Sequence, residues 1–343
     1  MGKINHQKAK ISLIGAGSWG TALSILLYQN GHQVRLWDFL KDHLAKIKEE
    51  LENKRCLPGV PLPKDISFTF DLNQAIEEGE YIIFAIPSHF LRDTLRKIKS
   101  CREDKKIISV IKGIENDTFL RPSQIIEEVL PQFKEKVVVF SGPSHAEEVS
   151  RNIPTSVVVS SSKTEDAEEI QRLFISPYFR VYTSKDLVGV ELGGALKNVI
   201  AIAVGICDGL GLGDNTKAAL ITRGLAEITR LGVALGANAH TFAGLSGMGD
   251  LIVTCLSKHS RNRLFGELIG KGNSLEEALS KMTMVAEGVK TAKSVYELAF
   301  QTKIELPICE QVFYILYQGK DPKTTVRELM LRDPKAELER DRG

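Results

Sequence analysis

Near its start the chain runs through a short apolar segment, Ile11–Ile14, into Gly15, Gly17 and Gly20 at G-x-G-x-x-G spacing, and then into a helical pattern over Ser18–Asn30. This strand, turn and helix order restricts the fold more than any other stretch, because it opens a βαβ unit whose turn is shaped to receive a dinucleotide pyrophosphate. Gly15 permits the tight turn, Gly17 removes a side chain that would block the pyrophosphate, and Gly20 lets the helix pack close to the strand. The helix N-terminus offers unsatisfied N–H groups to an anion. The next strand, Val34–Asp38, closes on Asp38, where a carboxylate accepts hydrogen bonds from ribose hydroxyls and repels a 2′-phosphate. That position leans toward NAD over NADP. A solvated loop carboxylate beside Lys41, with Arg35 near it, is the other reading of Asp38.

The same grammar continues to about residue 185. Runs at Ser67–Phe70, Tyr81–Ile86, Ile107–Ile111, Val137–Phe140, Ser156–Ser160 and Arg180–Tyr182 alternate with helical stretches. They predict an α/β fold with a doubly wound, mostly parallel Rossmann-type sheet. Tyr81–Ile86 is apolar throughout, as in a central strand covered on both faces, and Pro87 ends it. Ligands of such sheets bind beyond the carboxyl ends of the strands, so Pro87-Ser88 and Lys112-Gly113 are expected to line the crevice.

From Leu187 onward strand-like runs vanish. Apolar residues recur at helical spacing through Leu187–Ile206, Thr216–Leu235, Leu264–Ile269, Leu275–Lys281, Val289–Phe300 and Ile308–Gln318, which predicts an all-helical C-terminal domain. The expected division is a dinucleotide-binding domain over 1–186 and a helical substrate domain over 187–343. Thr324–Met330 makes a last short helix, and the charged tail from Arg332 is expected to fray.

The 343 residues are 43% hydrophobic and suffice for two cores. With 45 basic and 43 acidic residues the net charge is only +2, so there is no broad field for nucleic acid or an anionic membrane, and any anion site must be local. Met1–Lys10 lacks the apolar core of a secretory signal, and no run of about 20 apolar residues reads as a membrane span. A cytoplasmic protein is expected. Five cysteines without C-x-x-C spacing read as reduced thiols, and seven histidines without ligand spacing point to no metal.

Several polar residues stand out against these elements. Lys197 sits in a helix so apolar that an ammonium group needs a reason to be there. Gly193 and Gly194, one turn back, leave space for a ligand. Burial would lower the lysine's pKa and fit it for proton transfer, whereas a snorkelling stem would carry it to the surface; both remain open. Lys112 follows a strand and projects toward the crevice, as a phosphate-binding cation or an ordinary turn lysine. Gly142 and Ser144, in Ser141–Ala146, follow another strand and can turn backbone N–H groups and a hydroxyl toward an anion, although a plain turn uses the same residues. Asp250 either holds Lys197, binds a substrate hydroxyl, or caps the helix from Leu251. Arg261 offers a planar fork for a phosphate, flanked by the neutral donors Ser260 and Asn262.

Taken in order, Gly15–Leu23, Ser141–Ser144, Gly194–Ala201, Ala219–Gly224, Gly249–Leu251 and Ser260–Asn262 closely resemble the glycerol-3-phosphate dehydrogenase family, in its bacterial biosynthetic NAD(P)-dependent type. The resemblance runs from about residue 10 to about residue 330. It implies that Ser18, Trp19, Lys112, Ala146, Arg261, Val285 and Glu287 contact NAD or NADP. It places Lys112, Gly142, Ser144, Lys197, Asp250, Ser260, Arg261 and Asn262 around the substrate. By the same resemblance Lys197 is the proton-transfer residue for reduction of dihydroxyacetone phosphate to sn-glycerol 3-phosphate, which supplies the glycerophospholipid backbone. Phe39 departs from the family, which often has a basic or polar residue just after the second strand. A related β-hydroxyacid dehydrogenase, or an inactive NAD(P)-binding redox sensor, are the alternatives. Helical second domains of this kind commonly pair, and Leu187–Gly213 supplies candidate apolar surface, so a homodimer is expected.

Overall fold

The computed structural model describes residues 7–282, 286–334 and 336–337. Eight strands form one sheet: β1 Lys10–Ile14, β2 Gln33–Trp37, β3 Ser67–Thr69, β4 Tyr81–Phe84, β5 Lys106–Ser109, β6 Val137–Ser141, β7 Thr155–Ser160 and β8 Phe179–Ser184. Their spatial order is β3-β2-β1-β4-β5-β6-β7-β8. The chain winds outward one way from β1 to β3 and the other way from β4, so the topological switch lies between β1 and β4, where a crevice opens. All neighbours pair in parallel except β6 and β7, which are antiparallel. Alternating β-branched residues do not encode strand direction, and this reversal was not expected.

Helices α1 Ser18–Gln29, α2 Lys41–Glu50, α3 Leu72–Glu78, α4 Leu91–Leu95, α5 Pro122–Val129, α6 Ala146–Val149 and α7 Thr164–Phe174 join the strands. Two apolar clusters cover the sheet's opposite faces, one centred on Leu13, Leu23 and Phe140 and the other on Ile82, Phe84 and Ile126. The expected strand Tyr81–Ile86 stops at Phe84, because Ala85–Pro87 leave the sheet to form the crevice wall.

The helical half comprises α8 Leu187–Gly209, α9 Asp214–Ala234, α10 Ala239–Phe242, α11 Asp250–Leu256, α12 Arg261–Gly270, α13 Leu275–Ser280, α14 Glu287–Thr302, α15 Pro307–Gln318 and α16 Pro322–Met330. The short α10 and the π-helical turn Leu245–Gly249 carry no long apolar period and escape the sequence reading, whereas α11 is the helix expected from Leu251, starting one residue earlier. Helix α8 runs through the middle, with α9, α11, α12, α14 and α15 packed on it. It meets α12 backbone to backbone. A Cβ added at Gly205 would lie 2.0 Å from the Arg263 carbonyl oxygen, and one at Gly266 would lie 2.1 Å from that of Ile202.

Two expectations about α8 are corrected here. The helix is long and apolar enough to cross a membrane by length and composition, contrary to the reading that no such run exists, yet 89% of its apolar window is buried inside the protein. It is the core of the helical half. For the same reason most of Leu187–Gly213 is interior and offers little surface for a partner; the exposed apolar side chains nearby are Met248, Ile252, Leu256 and Leu264.

Candidate active site

The crevice beyond β1, β4 and β5 is roofed by α8, α11 and α12 and encloses about 220 Å³. Its floor is the glycine turn. Gly15 has φ +121°, a conformation that L side chains rarely adopt. A Cβ at Gly20 would lie 1.9 Å from the Gly15 carbonyl oxygen, whereas one at Gly17 would meet nothing within 4 Å and would stand in the open cavity. Gly17 is also the N-cap of α1 and has no side chain to satisfy that helix's first N–H groups. This cradle fits a pyrophosphate: it is open, lined by backbone donors, and placed at the positive end of a helix. Ser18, Trp19 and Ala146 line the same cavity, together with Lys112, Ser144, Lys197, Ser260, Arg261, Asn262 and Glu287. Val285 lies outside the described residues.

The roof carries a buried charge cluster. Lys197, on α8, is 5% exposed and Asp250, the first residue of α11, is 1% exposed. The Lys197 ammonium pairs with Asp250 Oδ1 and donates to Thr254 Oγ1 at 2.7 Å. Lys112 donates to Asp250 Oδ2 and to the Gly142 carbonyl, both at 2.8 Å, and reaches Ser144 Oγ at 3.4 Å. Asp250 therefore bridges two ammonium groups and does not cap its own helix, whose N-cap is Gly249. Thr254 follows Asp250 by one helical turn, a spacing that could have revealed it.

Burial lowers the Lys197 pKa to about 8, and the Asp250 carboxylate keeps it from falling further. Burial pushes the Asp250 carboxyl up, but the two ammonium groups more than offset this and hold it below its ordinary value. With two cations and one anion, the cluster carries one excess positive charge against a cavity wall, which favours developing negative charge on a ligand oxygen. Snorkelling is excluded for Lys197. The space expected beside it is not empty either: a side chain at Gly193 would strike the Ser246 carbonyl oxygen at 2.4 Å, and one at Gly194 would strike Ser141 Oγ at 2.6 Å and the Lys112 stem at 3.4 Å. Those glycines admit protein, not a ligand.

The N-terminus of α12 forms the third wall. Ser260 is its N-cap and accepts from the Arg263 N–H at 3.2 Å. Arg261 reaches Ser18 Oγ at 3.4 Å, so the two halves of the molecule meet across the crevice. A chain of carboxamides backs this wall. Asn198 donates to the Lys112 carbonyl at 3.2 Å, Asn262 donates to Asn198 Oδ1 at 2.9 Å, and the Gly288 N–H donates to Asn262 Oδ1 at 2.9 Å. Asn198 was not singled out by its sequence context. Desolvation pushes the Glu287 carboxyl up to about 7 against the pull of Arg261.

Asp38 is buried just past β2, and its oxygens accept from the Ala16 N–H at 2.7 Å and the Leu40 N–H at 2.8 Å. It is no solvated loop carboxylate. Beyond it, Phe39 and Phe90 form an exposed aromatic pair, ring centroids 5.4 Å apart, at the edge of a second cavity.

The N-terminal model of the NAD-dependent glycerol-3-phosphate dehydrogenase family matches residues 10–167, and its C-terminal model matches 186–327. A curated glycerol-3-phosphate dehydrogenase (NAD(P)+) of Pelotomaculum thermopropionicum is 51% identical over 332 residues, covering 96% of this chain and 95% of that one. One from a Thermoanaerobacter species is 53% identical over 330 residues, covering 96% and 99%. The crystal structure of the glycerol-3-phosphate dehydrogenase of Coxiella burnetii superposes with a TM-score of 0.89 at 37% identity, over 95% of this chain and 99% of that one. With two halves of one family matched in order and half of all residues shared with its curated members, this chain belongs to the NAD-dependent glycerol-3-phosphate dehydrogenase family.

Proposed function

We propose that the chain is an oxidoreductase that interconverts dihydroxyacetone phosphate and sn-glycerol 3-phosphate with NAD(P), reduction supplying the glycerophospholipid backbone in the cytoplasm. The observation that carries this reading is the Lys112–Asp250–Lys197 cluster, facing the same cavity as the glycine cradle and the α12 N-terminus. Gly15–Gly20 would hold a nicotinamide dinucleotide, with Phe39 and Phe90 past Asp38 available to its far end, and the dinucleotide would supply or accept hydride.

In reduction, Lys197 donates its ammonium proton to the substrate oxygen as negative charge develops there, and Lys112 adds positive potential. With a pKa of about 8, Lys197 is mostly protonated at neutral pH, the form that reduction needs. In oxidation the neutral amine takes the hydroxyl proton. Asp250 orients both amines, while Arg261 and the first N–H groups of α12 anchor the phosphate, with Ser260 and Asn262 shaping that end. Gly142 and Ser144 position Lys112. Contact between Arg261 and Ser18 ties the substrate and cofactor walls together.

Asp38 has no ion-pair partner among the described residues and stands just past the end of β2, where a carboxylate favours NADH over NADPH. The division at 186/187 sets the dinucleotide-binding sheet apart from the helical half that carries Lys197, Asp250 and Arg261, and Lys112 reaches the substrate from the sheet side. A homodimer would bury the exposed stripe Met248, Ile252, Leu256 and Leu264. The test of the whole reading follows NADH and NADPH oxidation in parallel with dihydroxyacetone phosphate. Turnover with NADH exceeding that with NADPH is expected; no turnover with either overturns the reading, and an NADPH preference overturns the role of Asp38 alone.

A further inference from the structure

The glycine turn is held from behind by residues outside its own motif. The Ala16 peptide is fully buried between Gly15 and Gly17, and both of its polar groups are taken. Its N–H donates to Asp38 at 2.7 Å, and its carbonyl accepts from Asn53 Nδ2 at 2.8 Å. The same Asn53 amide donates to Thr21 Oγ1, one turn into α1, at 2.8 Å. On its other side Asn53 Oδ1 accepts from the Cys56 N–H and from His43 Nε2, both at 3.1 Å. Asn53 is wholly buried, and every donor and acceptor of its carboxamide has a partner.

The segment that presents Asn53 is anchored independently of the turn. Its ends are closed by a Glu52–Pro61 bridge and by the Leu62 N–H donating to the Leu51 carbonyl. Leu57, Val60 and Leu62 are buried in the apolar cluster beneath the sheet. Asn53 therefore has a fixed position from which to hold a loop that two glycines would otherwise leave free to sample other conformations. Fixing that loop before a ligand arrives removes the ordering cost from binding.

We propose that Asn53 is a positioning residue for the dinucleotide: with Asp38 it locks the Ala16 peptide so that the cradle is preformed, and its loss weakens cofactor binding without impairing the chemical step. This rests on the dinucleotide reading given above. The test measures NADH affinity of the full-length protein by intrinsic fluorescence quenching, for wild type, Asn53→Asp and Thr21→Val. Aspartate keeps the acceptor for Cys56 and His43 but loses both donated bonds, and valine removes only the Thr21 acceptor.

Asn53→Asp is expected to weaken NADH binding at least tenfold and Thr21→Val about threefold. At saturating NADH, kcat and the KM for dihydroxyacetone phosphate are expected to stay within about twofold of wild type for both. Amide exchange over residues 15–20, measured without cofactor, is expected to quicken in the aspartate variant. Should Asn53→Asp not fold, Thr21→Val and its exchange rates decide alone. NADH affinity within error of wild type in every folded variant overturns the proposal, as does a loss confined to kcat. Failure of wild type itself to bind NADH overturns the dinucleotide reading instead.

Discussion

The two walls of the crevice are made of different material. The sheet side presents backbone: glycines, the uncapped N-terminus of α1, and a turn without side chains in the way. The helical side presents side chains, Lys197, Asp250, Thr254, Asn198 and Asn262, each buried and each satisfied by another. A wall of backbone leaves its open face to a ligand but has little chemistry of its own. A wall of buried charge has chemistry, but each member depends on its neighbours, since removing one partner leaves the other desolvated and unpaired.

The contrast predicts that damage to the side-chain wall appears in kcat and damage to the backbone wall in cofactor affinity. Lys197→Ala is expected to lower kcat by about 10²–10⁴-fold while circular dichroism and NADH affinity stay near wild type, since Asp250 retains Lys112; a folded variant with near-normal kcat would break the comparison. Gly20→Ala forces a Cβ to within 1.9 Å of a backbone oxygen. It is expected to destabilise by about 1–3 kcal/mol, seen in denaturant melts, and to weaken NADH binding strongly with kcat at saturation spared.

The pH profile sharpens the same point. Because Lys197 is held at about 8, kcat/KM for reduction is expected to fall as pH rises through that value, where the proton donor is lost. For oxidation it rises over the same interval as the neutral amine appears, and parallel profiles in the two directions would remove Lys197 from proton transfer. The smallest effect expected is from Thr254→Val, which deletes one acceptor of the Lys197 ammonium. A charged hydrogen bond of about 1.5–3 kcal/mol, partly replaced by Asp250, predicts about a tenfold loss in kcat with unchanged NADH affinity.

The same contrast explains what was legible in the sequence. Backbone function is written as local spacing, so Gly15, Gly17 and Gly20 and the strand before them were readable in place, and the helices of the second half followed from their period. Side-chain function is written in single letters far apart. Lys197 alone was ambiguous between burial and snorkelling, and only the fold brings Asp250 and Lys112 to it. Asp38 was legible as an acidic residue at the end of β2, but its bond to the Ala16 peptide was not. Asn53 had no signal at all, since it lies in no helix or strand and its partners come from Ala16, Thr21 and His43.

Where Gly205 and Gly266 let α8 and α12 touch, ligand length becomes a selected property. The amine of Lys197 rides on one helix, held by Asp250 and Thr254, and Arg261 stands at the tip of the other, so the separation of their two stems is set by main chains in direct contact. A phosphorylated carbonyl compound one carbon longer or shorter is therefore expected to turn over more slowly than the three-carbon ketone.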